Sequence, residues 1–183
     1  MEIIKTTIKD LVIIKPDIYD DQRGYFMESF NRTKFNDNFQ NIEFVQDNES
    51  KSEYGVLRGL HFQNPPFSQS KLVRVIEGVV LDVALDLRQN SSTFGKCEKF
   101  ELSAENKLQL FIPKGFAHGF VVLSEFAIFS YKVDNYYSKE HENGIIWNDS
   151  QLDIDWKIPI QDIKLSEKDK FLINFNNFKS PFS

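Results

Sequence analysis

The chain has 183 residues, 41% hydrophobic and 27% charged, which suits a single globular domain over residues 1–183 able to bury its own core. Its net charge of −5, with no block of one sign, argues against a nucleic-acid partner but leaves room for a phosphate-bearing ligand held by a few local cations. The single cysteine, Cys97, rules out an intrachain disulfide framework, and the opening MEIIKTTIKDLVIIKPD has no apolar run of signal or membrane length, so no membrane partner and a cytoplasmic location are expected.

Short runs of Val, Ile, Leu and Phe, bounded by Gly, Pro, Asn, Asp and Ser, follow one another along the chain. Leu11–Lys15 reads as a strand. Asp21–Phe30 (DQRGYFMESF) sets Arg23 before a glycine turn and Glu28 in a following strand, although a plain surface turn fits the same charges. Asn31–Phe39 suits a short helix. Val45–Ser50 (VQDNES), with Gln46, Asp47 and Asn48, is a polar cluster that a surface turn would also explain. Gly55–Val80 reads as two strands around the turn-forming Asn64–Pro66. Asp82–Leu87 alternates, with Val83, Leu85 and Leu87 on one side and Asp82, Ala84 and Asp86 on the other. Further strands are expected at Lys99–Leu102, Gln109–Ile112, Phe120–Leu123 and Ala127–Val133, with turns at Glu77–Gly78, Asn90–Ser92, Pro113–Gly115 and Ser124–Glu125. Lys164–Phe171 resembles a second helix, started by Ser166 ahead of Glu167 and Asp169. The aromatic, Asn-rich tail after Phe171 is expected to pack on the body or on a partner. Many short strands with few helices predict an all-β sandwich or barrel.

Three cationic or imidazole groups interrupt the apolar runs of GVLRGLHFQNPPFSQSKLVRVIEGVV: Arg58, His61 and Lys71. Burying such groups is costly unless they are paired. If their two segments are neighbouring strands, all three can line one cavity. Arg58 and His61 have opposite parity, and a flat strand would send them to opposite faces. A bulge at Gly59 is one way to re-aim one of them. His118 follows the turn residues of IPKGFAHGF. Tyr131 shares a strand face with Ala127 and Phe129, where packing with the hydroxyl at the rim is the plain reading. His141, in SKEHENG, reads as solvated, and Cys97 as a small packed residue. No HxH pair is present, and Lys71 would repel a cation, so no metal site is expected.

The segments DQRGYFMESF, FVQDN, GVLRGLHFQ, KLVRV, DVALDLR, STFGK, LSAENKLQL, IPKGFAHGFVVLS, YKVDNYY, GIIWND and LSEKDK together resemble the dTDP-4-dehydrorhamnose 3,5-epimerase family, a branch of the cupin-like jelly rolls. The resemblance runs in order through nearly the whole chain. It implies a jelly roll that acts on dTDP-4-keto-6-deoxy-glucose without metal or redox cofactor, as a homodimer exchanging β-structure. It implies that His61 is the general base, Tyr131 the general acid on the opposite face of the sugar, Asp169 the carboxylate that orients His61, and Lys71 the cation near the C4 oxygen. Arg23, Glu28, Gln46, Asp47, Asn48, Arg58, His118, Glu142 and Lys168 match nucleotide- and sugar-contacting positions, and Tyr137 the aromatic that stacks on thymine. Phe67 and Ser70 depart from the residues relatives commonly carry beside Gln69 and Lys71, which bears on substrate preference. Sibling readings are a mono-epimerase at C3 or C5 and a ketoisomerase; a non-catalytic sugar-nucleotide binder is the rival from another class.

Overall fold

The computed structural model describes residues 1–40 and 42–183. Two antiparallel sheets face each other. One has six strands in the order β1 (Glu2–Lys5), β2 (Val12–Lys15), β10 (Gln109–Ile112), β7 (Lys71–Glu77), β12 (Phe126–Val133), β5 (Gln46–Glu53). The other has five in the order β13 (Glu142–Gly144), β6 (Leu57–Gln63), β11 (Phe116–Val122), β8 (Val79–Asp86), β9 (Cys97–Ser103). A separate hairpin pairs β3 (Ile18–Asp21) with β4 (Gly24–Met27). This is the expected all-β jelly roll.

Apolar residues that alternate along the strands make the core between the sheets. Val73, Val75, Leu110, Ile112, Ala127 and Phe129 come from one sheet and meet Val80, Ala84, Leu102, Phe116, Phe120 and Val122 from the other. The five-stranded sheet is covered on its outer face as well. Leu81, Val83, Leu85, Ala117 and Val121 pack under Trp156, Phe175 and Phe182 of the C-terminal segment, so the tail covers the body of its own chain. Both faces of β8 are therefore buried. The alternation read from the sequence is present, but it does not separate inside from outside.

The two expected helices are shorter in the structure. The first is α1 (Arg32–Asn36), where the Asn31 side chain accepts a hydrogen bond from the Lys34 N–H and Phe35 is buried. Of Lys164–Phe171 only Lys168–Phe171 is helical, as a single 3₁₀ turn. Lys164 is committed to a parallel bridge instead: its N–H donates to Gly55 O at 2.8 Å and its carbonyl accepts from Leu57 N–H at 3.0 Å. The polar segment Gln46–Glu53 is not a surface turn. It pairs along its whole length with β12 as an eight-residue strand.

Candidate active site

A cavity of about 560 Å³ opens between the two sheets, a size that suits a small-molecule ligand. Arg58 and His61 reach it from β6, His118 from β11, Lys71 and Tyr131 from β7 and β12, Asn48 from β5, and Glu142 from β13. The strap from Lys164 to Asp169 closes one side and adds Ser166, Lys168 and Asp169.

The parity problem of Arg58 and His61 is solved by a bulge. Arg58 pairs with Phe120 and His61 with His118, so β6 spends Gly59 and Leu60 where β11 spends only Gly119. Gly59 has φ +113°, and a Cβ there would stand 2.6 Å from both Gly119 Cα and the His118 carbonyl oxygen. Only glycine fits. The bulge puts Arg58 and His61 on one wall, with the Arg58 guanidinium donating to Ser52 Oγ at 3.1 Å.

His61 Nε2 is hydrogen-bonded to Asp169 Oδ1, which lies 108 residues away in sequence. Asp169 is 2% exposed, and its other oxygen accepts the Ser166 hydroxyl at 2.7 Å. Burial pushes its pKa up, but the His61 bond and charge, aided by Ser166, outweigh this and hold it below the ordinary carboxylate value. The strap bonds that fix Lys164 to Gly55 and Leu57 anchor this carboxylate to the strand that carries its histidine.

On the opposite sheet, burial pushes Lys71 down to about 8, against the opposing charges of Asp82 and Glu142. Burial also raises the Tyr131 hydroxyl, which Arg58 and Lys168 partly offset. His118 is lowered by burial while Asp82 pulls it back. Glu142 accepts from Lys168 Nζ at 2.7 Å and from the Tyr137 hydroxyl at 3.0 Å. Burial raises its pKa, and these two partners bring it below the usual value.

Not every expected residue lies in the cavity. Arg23 sits at the tip of the β3–β4 hairpin, 89% exposed and paired with Asp21 at 2.6 Å. Glu28 pairs with Lys34 and accepts from Asn31 at 2.9 Å. Asp47 points out of β5 to Lys132 at 2.8 Å. Gln46 donates to Asn48 Oδ1 at 2.8 Å, two residues along β5 from that wall residue. Tyr137 is exposed and joins the site through its hydrogen bond to Glu142. His141 is not solvated: it is half-buried, hydrogen-bonded to Ser138 Oγ at 2.8 Å, and its ring centroid lies 4.5 Å from that of Phe67. The thiol of Cys97 is half-buried, which pushes it up to about 12, as expected of a packed residue. Ser166 and Asp82 had no site role in the sequence reading. Ser166 carried a helix-start signal, and Asp82 stood as one member of an alternating strand.

The sequence and the fold are matched by relatives. The family model for dTDP-4-dehydrorhamnose 3,5-epimerase matches residues 5–177. The enzyme of that name from Shigella flexneri is 55% identical over 170 residues, 92% of this chain and 93% of the relative. A crystal structure of dTDP-4-dehydrorhamnose 3,5-epimerase from Elizabethkingia anophelis is 57% identical, with a TM-score of 0.92 and 97% of each chain covered. The Legionella pneumophila enzyme, solved with dTDP-4-keto-L-rhamnose, is 49% identical with a TM-score of 0.93, covering 97% of this chain and 94% of its own. A 3'-monoepimerase from Streptomyces bikiniensis, solved with dTDP-quinovose, is more distant at 28% identity and a TM-score of 0.85, covering 93% of this chain and 86% of its own. With its jelly roll, its cavity between the sheets and its identity to these enzymes over nearly its full length, the chain belongs to the dTDP-4-dehydrorhamnose 3,5-epimerase family.

Proposed function

We propose that this epimerase inverts both C3 and C5 of dTDP-4-dehydro-6-deoxy-D-glucose, with His61 as base, Tyr131 as acid, Lys71 as the cation for the enolate and Asp169 as the group that orients His61. The carrying observation is that His61 and Tyr131 stand on opposing sheets across one cavity. Inversion needs a proton removed from one face of a carbon and returned to the other.

Both carbons flank the C4 ketone, so removing either proton makes an enolate. Lys71, half-buried in the cavity wall, supplies positive charge where the enolate oxygen develops negative charge. A hydrogen bond from His61 Nε2 to the Asp169 carboxylate leaves Nδ1 with a lone pair to accept the proton. Burial keeps the Tyr131 hydroxyl protonated and able to donate. Arg58 and Lys168 are suited to the pyrophosphate, which matches guanidinium and ammonium donors. Lys71, Arg58 and Lys168 line one cavity and disfavour a divalent metal there, and proton transfer next to a ketone with Lys71 at the enolate oxygen requires no metal in this reading.

The reading includes a homodimer. Arg23 and Glu28 match ligand-contacting positions yet lie outside their own cavity, on and beside a hairpin with exposed Tyr19, Tyr25 and Phe26. A partner's hairpin would deliver them. It also includes the cytoplasm, supported by a lone, unpaired Cys97.

The test is NMR of the 4-keto sugar nucleotide turned over in deuterated water. Deuterium at two carbons supports a double epimerase; at one carbon it makes the protein a mono-epimerase, and at none a binder. His61→Ala should lose turnover by about 10²–10⁴-fold with an unchanged circular dichroism spectrum, the scale of one acid–base group.

A further inference from the structure

Two carboxylates are fully buried on the same face of β8, Asp82 and Asp86. A buried charge needs partners. Asp86 has several: the Arg88 Nε and Nη2 donate to it at 2.9 Å, and the Ser91 and Thr93 hydroxyls at 2.7 Å. That network is closed and ties down the turn after the strand. Asp82 is different. Among the described residues its one side-chain partner is His118, whose Nε2 lies 3.0 and 2.9 Å from the two carboxylate oxygens.

His118 lines the cavity, and Asp82 stands behind it. The site therefore holds two histidine–carboxylate pairs, and their histidines face each other in register on β6 and β11. With both oxygens turned to one ring nitrogen, Nε2 carries the hydrogen and Nδ1 keeps its lone pair. The ring stays neutral, since burial lowers its pKa. The pair then presents one net negative charge to the cavity.

That charge has a counterpart in Lys71. Its register partners on the adjacent strands, Ile112 and Val133, are apolar. The titratable and charged groups that share its side of the cavity are Asp82, Glu142, Lys168, His118, His61, Asp169, Tyr131 and Arg58. Glu142 is already engaged by Lys168 and Tyr137. Among the described residues, Asp82 is a buried carboxylate of this site with no Lys or Arg bonded to it. We propose that Asp82 is a positioning residue of the epimerase, which fixes the ring of His118 and supplies the negative charge that keeps Lys71 an ammonium in the cavity wall. The proposal rests on the assignment of Lys71 to the enolate oxygen.

The test is Asp82→Asn, which keeps the size and removes the charge. The pH profile of kcat/KM is measured beside that of Asp86→Asn, which removes an equally buried charge from the same strand. Lys71 acts only when protonated, so loss of the Asp82 charge should move the alkaline limb of Asp82→Asn to lower pH by about one unit. Its kcat/KM at neutral pH should fall about tenfold to a hundredfold. Asp86→Asn should melt earlier and keep the alkaline limb of wild type. Should Asp82→Asn not fold, Asp82→Asn/His118→Gln, which puts an amide pair in place of the dyad, carries the same expectation for the alkaline limb. An unmoved limb, or an equal movement in Asp86→Asn, would overturn the proposal. If wild type incorporates no deuterium into the sugar, the epimerase reading itself fails, which is a different result from an active wild type whose alkaline limb Asp82→Asn leaves in place.

Discussion

The hydroxyl of Tyr131 is the smallest group on which the proposed mechanism turns. Tyr131 packs beside Phe129, with ring centroids 6.1 Å apart, and the rest of its face belongs to the core. Tyr131→Phe keeps that packing and deletes only the donor. His61 would still remove protons, because Asp169 and Ser166 are untouched. With no donor on the other face, the proton should often return to the face it left. The variant should therefore exchange substrate hydrogen with deuterated water faster than it forms inverted product, by about tenfold or more, the scale of one proton-transfer group. Wild type should show no such excess. Inversion at the wild-type rate would reduce Tyr131 to a strand residue. Loss of exchange and inversion in equal measure would tie the hydroxyl to enolate formation instead. This residue was readable in the sequence only through the family resemblance, since a strand tyrosine with apolar neighbours looks like ordinary packing. That His61 and Lys71 line one cavity was readable from their chemistry, because they break apolar runs; their proposed roles came from the resemblance. Asp169 was not, because no local pattern joins positions 108 residues apart.

Among the elements, β5 shows why hydrophobic periodicity missed a strand. Gln46, Asn48, Ser50 and Ser52 are turned inward, while Asp47, Glu49, Lys51 and Glu53 are exposed. The alternation is there, but between neutral polar and charged residues rather than apolar and polar ones. A strand that walls a polar ligand cavity has no reason to be apolar on its inner face. The bulge in β6 was legible as a question, through the parity of Arg58 and His61 with a glycine between them. Gly59→Ala tests it. The added methyl would meet backbone atoms of β11 that cannot move aside, at a φ that side chains rarely adopt. The substitution should lower the melting temperature by about 5 °C or more. It should also cost activity, since flattening the bulge sends Arg58 or His61 to the wrong face. Wild-type melting and turnover would mean that the bulge does not set the site.

The end of β8 makes a separate prediction about acid stability. Burial raises Asp86, but Arg88, Thr93 and Ser91 outweigh it, so its folded pKa lies below the ordinary 3.8. A depressed carboxylate contributes stability that is present above its unfolded pKa and is lost as pH falls through the folded value. Asp86→Asn should thus be less stable than wild type at neutral pH. The gap between them should narrow below about pH 4, where unfolded carboxylates take up protons. Melting curves from pH 7 to pH 3 measure it. A gap of constant size would show that shape, not charge, accounts for the role of Asp86.

At the scale of the whole molecule, one protomer holds an incomplete set of the expected ligand residues. His61 is in the cavity, whereas Arg23 is at a hairpin tip, 89% exposed. In the proposed dimer each cavity combines its own His61 with an Arg23 from the partner. That arrangement makes a prediction that no monomer can meet. Arg23→Ala should weaken substrate binding, and His61→Ala should lose turnover by about 10²–10⁴-fold. When the two variants are mixed and allowed to exchange subunits, about half the dimers become hybrids. In each hybrid, the cavity of the Arg23→Ala protomer keeps its own His61 and receives an intact Arg23. The other cavity lacks both. One site in two is restored in half the dimers, so activity at low substrate should recover to about a quarter of wild type. The measurement is turnover against time after mixing, beside the two variants kept apart. If Arg23 served its own cavity, the hybrid would hold one site without arginine and one without histidine, and mixing would restore nothing. Sedimentation of wild type as a monomer at the assay concentration would remove the dimer as well. Recovery near a quarter would place the tip of one protomer's hairpin in the functional site of the other.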